Sequence, residues 1–217
     1  MAYIAPDLEA LSNDIAQNAP DAVLQTVLDA KNNYKQSFNP NAAIKVGDQL
    51  PPFNLKDATG AEQTSTSLLR DEALIITFYR GEWCPFCNIA IAGLQKYLSR
   101  FKAKGANLVA ITPELPNNTM TMTEKHDLKF PVLTDLYNEY ARKLGIVWKQ
   151  PESLRPVYKA LVDDPGERNG DDSFEVPIPV TMLVGRDGVV RNLFCDPDYF
   201  KRVEPEVVLG WVEGLQG

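Results

Sequence analysis

Two uninterrupted apolar runs mark the middle of the chain, at residues 74–79 and 108–111. Runs of this kind are typical of strands that are buried on both faces of a sheet. Between them, from about residue 85 to residue 104, apolar residues recur at helical spacing and predict a long helix. Strands that alternate with helices in this way predict an α/β fold.

The second half of the chain predicts a hairpin and several helices. Apolar runs at residues 180–184 and 189–194 flank Arg186-Asp187-Gly188, a pattern that favours two antiparallel strands. The sheet is therefore expected to be mixed. The pattern predicts the remaining elements as helices near residues 117–128, 135–144, 151–161 and 205–215, and as a polar loop at residues 163–173.

Helical spacing also covers residues 6 to about 36, in two segments that open at Pro6 and Pro20. Proline is favoured in the first turn of a helix, because its missing N–H would have no partner there. The polar stretch at residues 39–41 then interrupts the pattern. The two predicted units are an N-terminal helical extension, residues 1–40, and a core domain, residues 41–217.

Composition narrows the function classes. Hydrophobic residues make up 44% of the 217, which is enough for a core without disulfides or a metal. The net charge of −7 argues against a nucleic-acid-binding protein, whose surface is usually basic. The sequence has no run of 18 apolar residues and no pattern of a secretory signal. We therefore expect a cytoplasmic protein with no membrane or nucleic-acid partner.

Two of the three cysteines, Cys84 and Cys87, form a C-x-x-C motif at a predicted strand-to-helix junction. In the cytosol this motif points to redox chemistry or to metal binding. The chain is expected to turn at Gly81 and to begin a helix at Pro85, where unpaired N–H groups and the helix dipole stabilise a thiolate. Cys84 is therefore the expected, more reachable nucleophile. Cys87 is the expected buried sulfur that resolves the mixed disulfide.

Interpretations in which the cysteine pair has no redox activity stay open. A zinc site needs four ligands, and only Cys195 and His126 remain as soft candidates, so no metal is expected. The pair would otherwise be a static structural feature. We expect Cys195 to be a half-buried thiol, although it could also resolve the pair or bridge to another chain. His126 and Glu82 are expected to be solvated.

Three segments are similar to segments of a known family: residues 46–60, Phe130-Pro131-Val132-Leu133-Thr134-Asp135 and Val176-Pro177-Ile178-Pro179-Val180-Thr181. Over residues 44–217 the chain resembles the peroxiredoxin-like branch of the alkyl hydroperoxide reductase/thiol-specific antioxidant (AhpC/TSA) family. The resemblance implies a thioredoxin-like fold, with a central mixed β-sheet flanked by helices. The last of the three segments resembles the cis-proline loop of thioredoxins, which implies that Pro179 faces the cysteines. Trp83 matches the W-C pattern of thioredoxins, which implies that it covers them.

The chain departs from the family pattern at the motif itself. Peroxiredoxins carry P-x-x-x-T-x-x-C, whose cysteine falls on Cys87, whose threonine falls on Cys84 and whose proline falls on Arg80. The distant arginine of the family falls on Pro179. Arg80 is either a substitute positive charge or a surface residue. The buried aspartate that thioredoxins place under their cysteines is missing from residues 74–79.

These observations predict a thiol-dependent redox enzyme, an antioxidant oxidoreductase that uses Cys84 and Cys87 to reduce disulfides and also hydroperoxides. Trp83, Arg80 and Pro179 are the expected substrate-binding residues. One alternative is a true peroxidase with Cys87 as the peroxide-reacting sulfur, and another is a non-enzymatic redox sensor or binding module. No organic cofactor is implied. Turnover needs an external thiol reductant, a thioredoxin-like protein or glutathione, and a homodimer is left open.

Overall fold

The computed structural model describes residues 3–215, apart from the side chains of residues 120–122 and 125. It confirms the predicted α/β fold, a central mixed sheet flanked by helices. No helix in this part of the chain is both long and apolar enough to cross a membrane. The helices are α1 Ala5–Asn18, α2 Asp21–Ser37, α3 Ser65–Leu68, α4 Pro85–Ala103, α5 Pro116–Lys125, α6 Glu139–Lys143, α7 Arg155–Leu161, α8 Pro165–Asn169 and α9 Pro205–Gly214, with 3₁₀ turns at Leu136–Asn138 and Glu152–Leu154.

The strands form two sheets of unequal size. They are β1 Asn54–Asp57, β2 Glu62–Thr64, β3 Ala73–Phe78, β4 Ala106–Thr112, β5 Val132–Thr134, β6 Val147–Lys149, β7 Glu175–Pro177, β8 Val180–Val184 and β9 Val190–Cys195. The main sheet has the order β2-β1-β5-β4-β3-β8-β9, and β6 pairs with β7 separately. β3, β4 and β5 run parallel to one another, whereas the other pairs are antiparallel.

Strand β3 lies inside the main sheet and carries the chain to the cysteine pair. All six of its residues are buried, as its continuous apolar run predicts. Its last residue, Phe78, lies beside Ile111 of β4 on one side and beside Val180 of β8 on the other. Because β3 is held on both sides, the turn that follows it starts from a fixed point.

The two predicted N-terminal helices are present, and α1 packs directly on α4. Gly93 of α4 makes this approach possible, since a Cβ there would lie 2.5 Å from Ile4 Cγ2. The carboxylate of Glu204 accepts hydrogen bonds from the Ile4 and Ala5 N–H groups at 2.9 and 2.7 Å. Glu204 thus holds the start of α1 against the segment that precedes α9.

The prediction of a loop over residues 163–173 is wrong, because α8 lies within it. Asp164 caps this helix by accepting a hydrogen bond from the Gly166 N–H at 2.9 Å. Gly170 ends it with a φ of 62°, a left-handed conformation that glycine adopts without strain. These local cap signals outweigh the overall polarity of the segment.

The expected cis-proline loop is also corrected. The described residues contain no cis peptide bond, so the bond before Pro179 is trans. Just before it, Pro177 pairs with Val147, and the Ile178 N–H donates to the Ile146 carbonyl at 2.7 Å. This paired, extended backbone runs directly into β8, and a trans bond keeps it extended.

Candidate active site

The cysteine motif lies at the predicted strand-to-helix junction. The chain leaves β3, turns at Gly81 and enters α4 at Pro85, with Cys84 as the N-cap residue. Gly81 has a φ of 149°, and a Cβ there would lie 2.4 Å from Trp83 Nε1. Only glycine therefore lets the Trp83 ring lie over the turn. The helix entrance that the sequence predicts around Cys84 is confirmed.

The two sulfurs lie in contact, as thiols rather than as a disulfide. Cys87 Sγ donates a hydrogen bond to Cys84 Sγ at 2.8 Å, and both residues are 0% exposed. The expectation that Cys84 is the more reachable sulfur is therefore wrong for this conformation. Arg80, which contacts Cys84, lies against the ring of Tyr199, a residue that local sequence around the motif does not reveal.

Arg80 is a buried partner of Cys84 rather than a surface residue. It is 4% exposed, and its Nη2 donates to Cys84 Sγ at 3.3 Å. Its guanidinium carbon lies 4.4 Å from the ring centre of Tyr199 and 5.1 Å from that of Trp83. Its Nη1 donates to the Tyr158 hydroxyl at 3.5 Å. The arginine is thus fixed by aromatic side chains with its charge directed at the sulfur.

A second arginine contacts the second sulfur, and no sequence pattern predicted it as a site residue. Arg202 Nη2 donates to Cys87 Sγ at 3.3 Å. Its Nη1 donates to the carbonyls of Tyr199 and Lys201, which fixes the guanidinium. Because 115 positions separate the two residues, no local pattern could have paired them.

The pKa values of the two thiols move in opposite directions. For Cys84, burial alone raises the pKa, but the Cys87 S–H bond and the charges of Arg80 and Arg202 outweigh burial and hold the pKa well below its ordinary value. For Cys87, burial, followed by the hydrogen bond to Cys84 and its negative charge, raises the pKa well above the ordinary value. The first proton of the pair therefore leaves Cys84, and Cys87 keeps its proton longer.

The expectation that Glu82 is solvated is wrong. Its side chain is 12% exposed and forms an ion pair with Arg168 at 3.3 Å. Arg168 also pairs with Glu114, which is fully buried and accepts the Glu82 N–H at 2.9 Å. Burial raises the pKa of Glu114, although Arg168 opposes the shift. A buried acid thus supports the turn before the cysteines, but it follows β4 rather than lying in β3.

The other predicted residues lie around this centre or away from it. Pro179 is buried next to Val180, which pairs with the last residue of β3. Cys195 is half-buried at the end of β9, and its pKa rises to about 11 because of burial and Asp196. His126 is half-buried after α5. Across the described part of the chain, no group of three His, Cys, Asp or Glu side chains is placed to hold a metal ion.

An apolar groove of about 310 Å³ lies over the helix entrance. Arg80, Trp83 and Phe86 line it on the cysteine side. Across the groove, α1, α2 and α7 contribute apolar side chains, among them Leu11, Ile15, Val27, Val157 and Leu161. The groove therefore leads from an apolar surface to the arginine that contacts Cys84.

Comparison with known proteins identifies the family of the chain. The family model of AhpC/TSA matches residues 46–193. The chain belongs to the AhpC/TSA family. Peroxiredoxin Bcp of Escherichia coli K12 is 23% identical over 170 residues, which cover 78% of this chain and 96% of Bcp. Relatives of this kind act by thiol chemistry, so this member of the family is a thiol-dependent oxidoreductase.

Solved structures show the same fold. Peroxidoxin BcpB from Mycobacterium tuberculosis superposes with a TM-score of 0.63 at 18% identity, covering 80% of this chain and 99% of that one. Bacterioferritin comigratory protein from Xanthomonas campestris, studied for its alkyl peroxide reduction activity, gives 0.59 at 15% identity, covering 76% and 92%. The family resemblance and the thioredoxin-like fold are thus confirmed.

Within the AhpC/TSA frame, this chain redistributes the groups around the sulfur. Cys84 stands where the family pattern has threonine, and it contacts the aligned Cys87 directly. Pro179 stands where the pattern has its arginine. Arg80 and Arg202 instead bring positive charge to the two sulfurs from other positions in the chain.

Proposed function

We propose that this protein is a thiol peroxidase in which Cys84 attacks the hydroperoxide and Cys87 resolves the product. The observation that carries the proposal is the position of Cys84 Sγ, which accepts hydrogen bonds from both Cys87 and Arg80 at the start of α4. Both donors stabilise the anionic form of the sulfur. A thiolate is the species that attacks peroxide oxygen.

The reaction balances over two steps. The Cys84 thiolate attacks the terminal oxygen of a hydroperoxide, so that an S–O bond forms and the O–O bond breaks. The alkoxide leaves as an alcohol after taking a proton from solvent. Arg80 lies where it can offset the charge that develops on the leaving oxygen. The Cys87 sulfur then attacks the Cys84 sulfenic acid, a disulfide forms, and water leaves with the thiol proton.

The apolar groove favours organic hydroperoxides over hydrogen peroxide. Its volume of about 310 Å³ lies at the small end of the range for ligand pockets, roughly 300–1,000 Å³. The alkyl peroxide reduction for which the Xanthomonas campestris relative was studied supports the same substrate class. Since neither sulfur is exposed, substrate entry requires the side chains that cover the pair to move.

Return to the reduced state needs a donor of two electrons. A thioredoxin-like protein or glutathione supplies them by attacking the disulfide, through a mixed disulfide that a second thiol releases. The same exchange would let the pair reduce protein disulfides directly. The two activities are separated by assaying an organic hydroperoxide and insulin disulfides side by side.

The central test uses one equivalent of cumene hydroperoxide and a sulfenic-acid trap, followed by mass spectrometry. We expect the trap to label Cys84 and the labelled sulfenic acid to accumulate in Cys87→Ser. In Cys84→Ser the reaction should be lost. A trap found on Cys87, with Cys84→Ser still reactive, would reverse the assignment of the sulfurs. Hydroperoxide consumption no faster than that of free thiols would remove the peroxidase proposal.

The substrate class is tested by narrowing the groove. Ile15→Trp, on the groove side of α1, should raise the KM for cumene hydroperoxide by about tenfold and leave hydrogen peroxide turnover unchanged. Ala16→Trp, on the exposed neighbouring position, is the matched control. Equal effects of Ile15→Trp on both substrates would exclude the groove as the binding site.

A further inference from the structure

The segment between β9 and α9, residues 196–204, crosses the cysteine pair and is here called the tail segment. It brings Tyr199 over the guanidinium of Arg80 and Arg202 onto Cys87. Neither the family motif nor the peroxide step described above uses Arg202. Its placement is nevertheless specific, because three hydrogen bonds fix the guanidinium between the tail backbone and a sulfur.

The tail segment is held in this position by α2 and α4. Asp198 forms ion pairs with Lys31 at 2.9 Å and with Lys35 at 3.3 Å, and its own side chain is mostly buried. The ring of Phe200 stacks on that of Phe86, with 4.3 Å between ring centres and an interplanar angle of 9°. Contacts from two helices therefore keep the tail over the cysteines.

Cys87 has a difficulty that Cys84 does not have. It must lose its proton to attack the oxidised Cys84, yet it is fully buried and its pKa lies well above the ordinary value. Part of that rise comes from the negative charge on Cys84, which disappears once Cys84 becomes a sulfenic acid. Burial remains, and a charge beside Cys87 has to offset it.

We propose that Arg202 is a catalytic residue of the second step, in which its guanidinium stabilises the Cys87 thiolate that closes the disulfide. The inference rests on the proposed peroxidase function. In the step, an S–S bond forms between Cys87 and Cys84, the S–O bond of the sulfenic acid breaks, and hydroxide leaves as water with the proton of Cys87. When an external thiol later attacks Cys84, the same guanidinium receives the Cys87 thiolate that is expelled.

The charged and titratable groups that face the pair come from several elements. Arg80 follows β3 and Arg202 lies in the tail segment, and both guanidinium groups are positive. The buried hydroxyls of Tyr79, Tyr158 and Tyr199 have raised pKa values and stay neutral over the range used below. A pH dependence of closure therefore reports the ionisation of Cys87.

The experiment measures both steps in Arg202→Gln by rapid quench after one equivalent of hydrogen peroxide, with sulfenic acid and disulfide quantified by mass spectrometry. At pH 7 we expect closure to slow at least about tenfold more than oxidation, the change that one pKa unit produces. The closure defect should stay constant while the pH lies below the pKa of Cys87 in both proteins. It should shrink above the pH at which wild-type closure levels off, since only closure in Arg202→Gln then still rises. Arg202→Lys, which keeps the charge, should restore part of the rate, and Lys201→Gln is the adjacent control.

Two results of this kinetic experiment would overturn the role of Arg202. One is closure at the wild-type rate in Arg202→Gln. The other is a defect that keeps its size above the pH at which wild-type closure levels off, which indicates a misplaced tail rather than a missing charge. A separate measurement does not depend on peroxide chemistry. In a Cys84→Ser, Cys195→Ser background, thiolate absorbance titrates Cys87 alone, and Arg202→Gln should raise its pKa by about one unit. No rise there would refute the inference, whereas a wild type that fails to react with peroxide would refute only the proposed function.

Discussion

The two sulfurs of the site lie 2.8 Å apart, yet the chain builds their surroundings in different ways. Cys84 depends on its neighbours in sequence: Gly81 turns the chain, Pro85 starts the helix, and Arg80 donates to the sulfur from four positions away. Cys87 depends on Arg202, 115 positions away. One half of the site is local and the other is assembled by the fold.

This difference separates two tasks. The local half lowers the pKa of Cys84 through Cys87 and Arg80, and the charge of Arg202 adds to this effect. The other half requires the tail segment to be docked on α2 and α4 before Cys87 receives its charge. Variants that affect one half without the other therefore test whether the two tasks are separate.

The largest effect is expected at Arg80. Arg80→Gln removes a charge that lies 3.3 Å from Cys84, and an opposite charge at such a distance typically lowers a pKa by about 1–3 units. The rate of Cys84 oxidation at neutral pH should fall roughly 100-fold and recover as pH rises through the new, higher pKa. Stopped-flow oxidation rates between pH 5 and pH 10 measure this.

The control for Arg80 is Arg70→Gln, an exposed position at the other end of β3, which should leave the profile unchanged. A loss of rate in Arg80→Gln that is the same at all pH values would mean that Arg80 acts on the leaving oxygen or by packing between Trp83 and Tyr199. Arg80 would then not lower the pKa of Cys84.

A smaller effect is expected when the bond between the sulfurs is removed. Cys87→Ala deletes the donor to Cys84, whereas Cys87→Ser keeps an O–H in the same place. A hydrogen bond to a charged group contributes about 1.5–3 kcal/mol, so the pKa of Cys84 should be about 1–2 units higher in the alanine variant. Thiolate absorbance in a Cys195→Ser background gives both values. Equal pKa values in the two variants would show that the charges of Arg80 and Arg202, and not the bond from position 87, lower the pKa of Cys84.

The same division between local and distant contacts explains which features could be predicted from the sequence. The long buried strands, α4 and the helix entrance at Cys84 follow from patterns within about 30 residues, and all were predicted correctly. The short strands β5, β6 and β7 have three residues each and leave no periodic signal. Contacts between distant segments place Arg202 at the site, bury Glu82 and cover Cys84. One sequence does not show such contacts.

A modest effect is expected at the contact that docks the tail. Asp198→Asn weakens the ion pairs with Lys31 and Lys35, which should lower the unfolding free energy by about 1 kcal/mol and the Tm by about 2–4 °C at pH 7. Burial raises the pKa of Asp198, but Lys31 and the other hydrogen-bond partners together lower it by more. The pKa therefore lies below its ordinary value of 3.8. The stabilisation is therefore present above that ordinary value and disappears as pH falls through the lower, folded pKa.

Thermal unfolding at several pH values measures the Asp198 effect. The difference between Asp198→Asn and the wild type should vanish at the acid end, and disulfide closure should slow at neutral pH while Cys84 oxidation does not. Glu213→Gln, which removes an exposed pair with Lys104, is the matched control. Unchanged closure in a destabilised Asp198→Asn would separate tail docking from the second step.

The smallest effect is expected at Cys195, the third sulfur, which directly precedes the tail segment. Burial and Asp196 raise its pKa to about 11, so it remains a thiol at neutral pH and is a poor nucleophile. Its place at the end of β9 opposite Val180 fits a small, half-buried packing residue. Cys195→Ser should therefore change oxidation and closure rates by less than about twofold, because the serine removes only a thiol that stays protonated.

Peptide mapping after oxidation should show a single disulfide, between Cys84 and Cys87. A bridge that includes Cys195, within the chain or between two copies, would mean that the tail side of the site supplies a second resolving sulfur, and the assignment of Cys87 as the sole partner of Cys84 would fail.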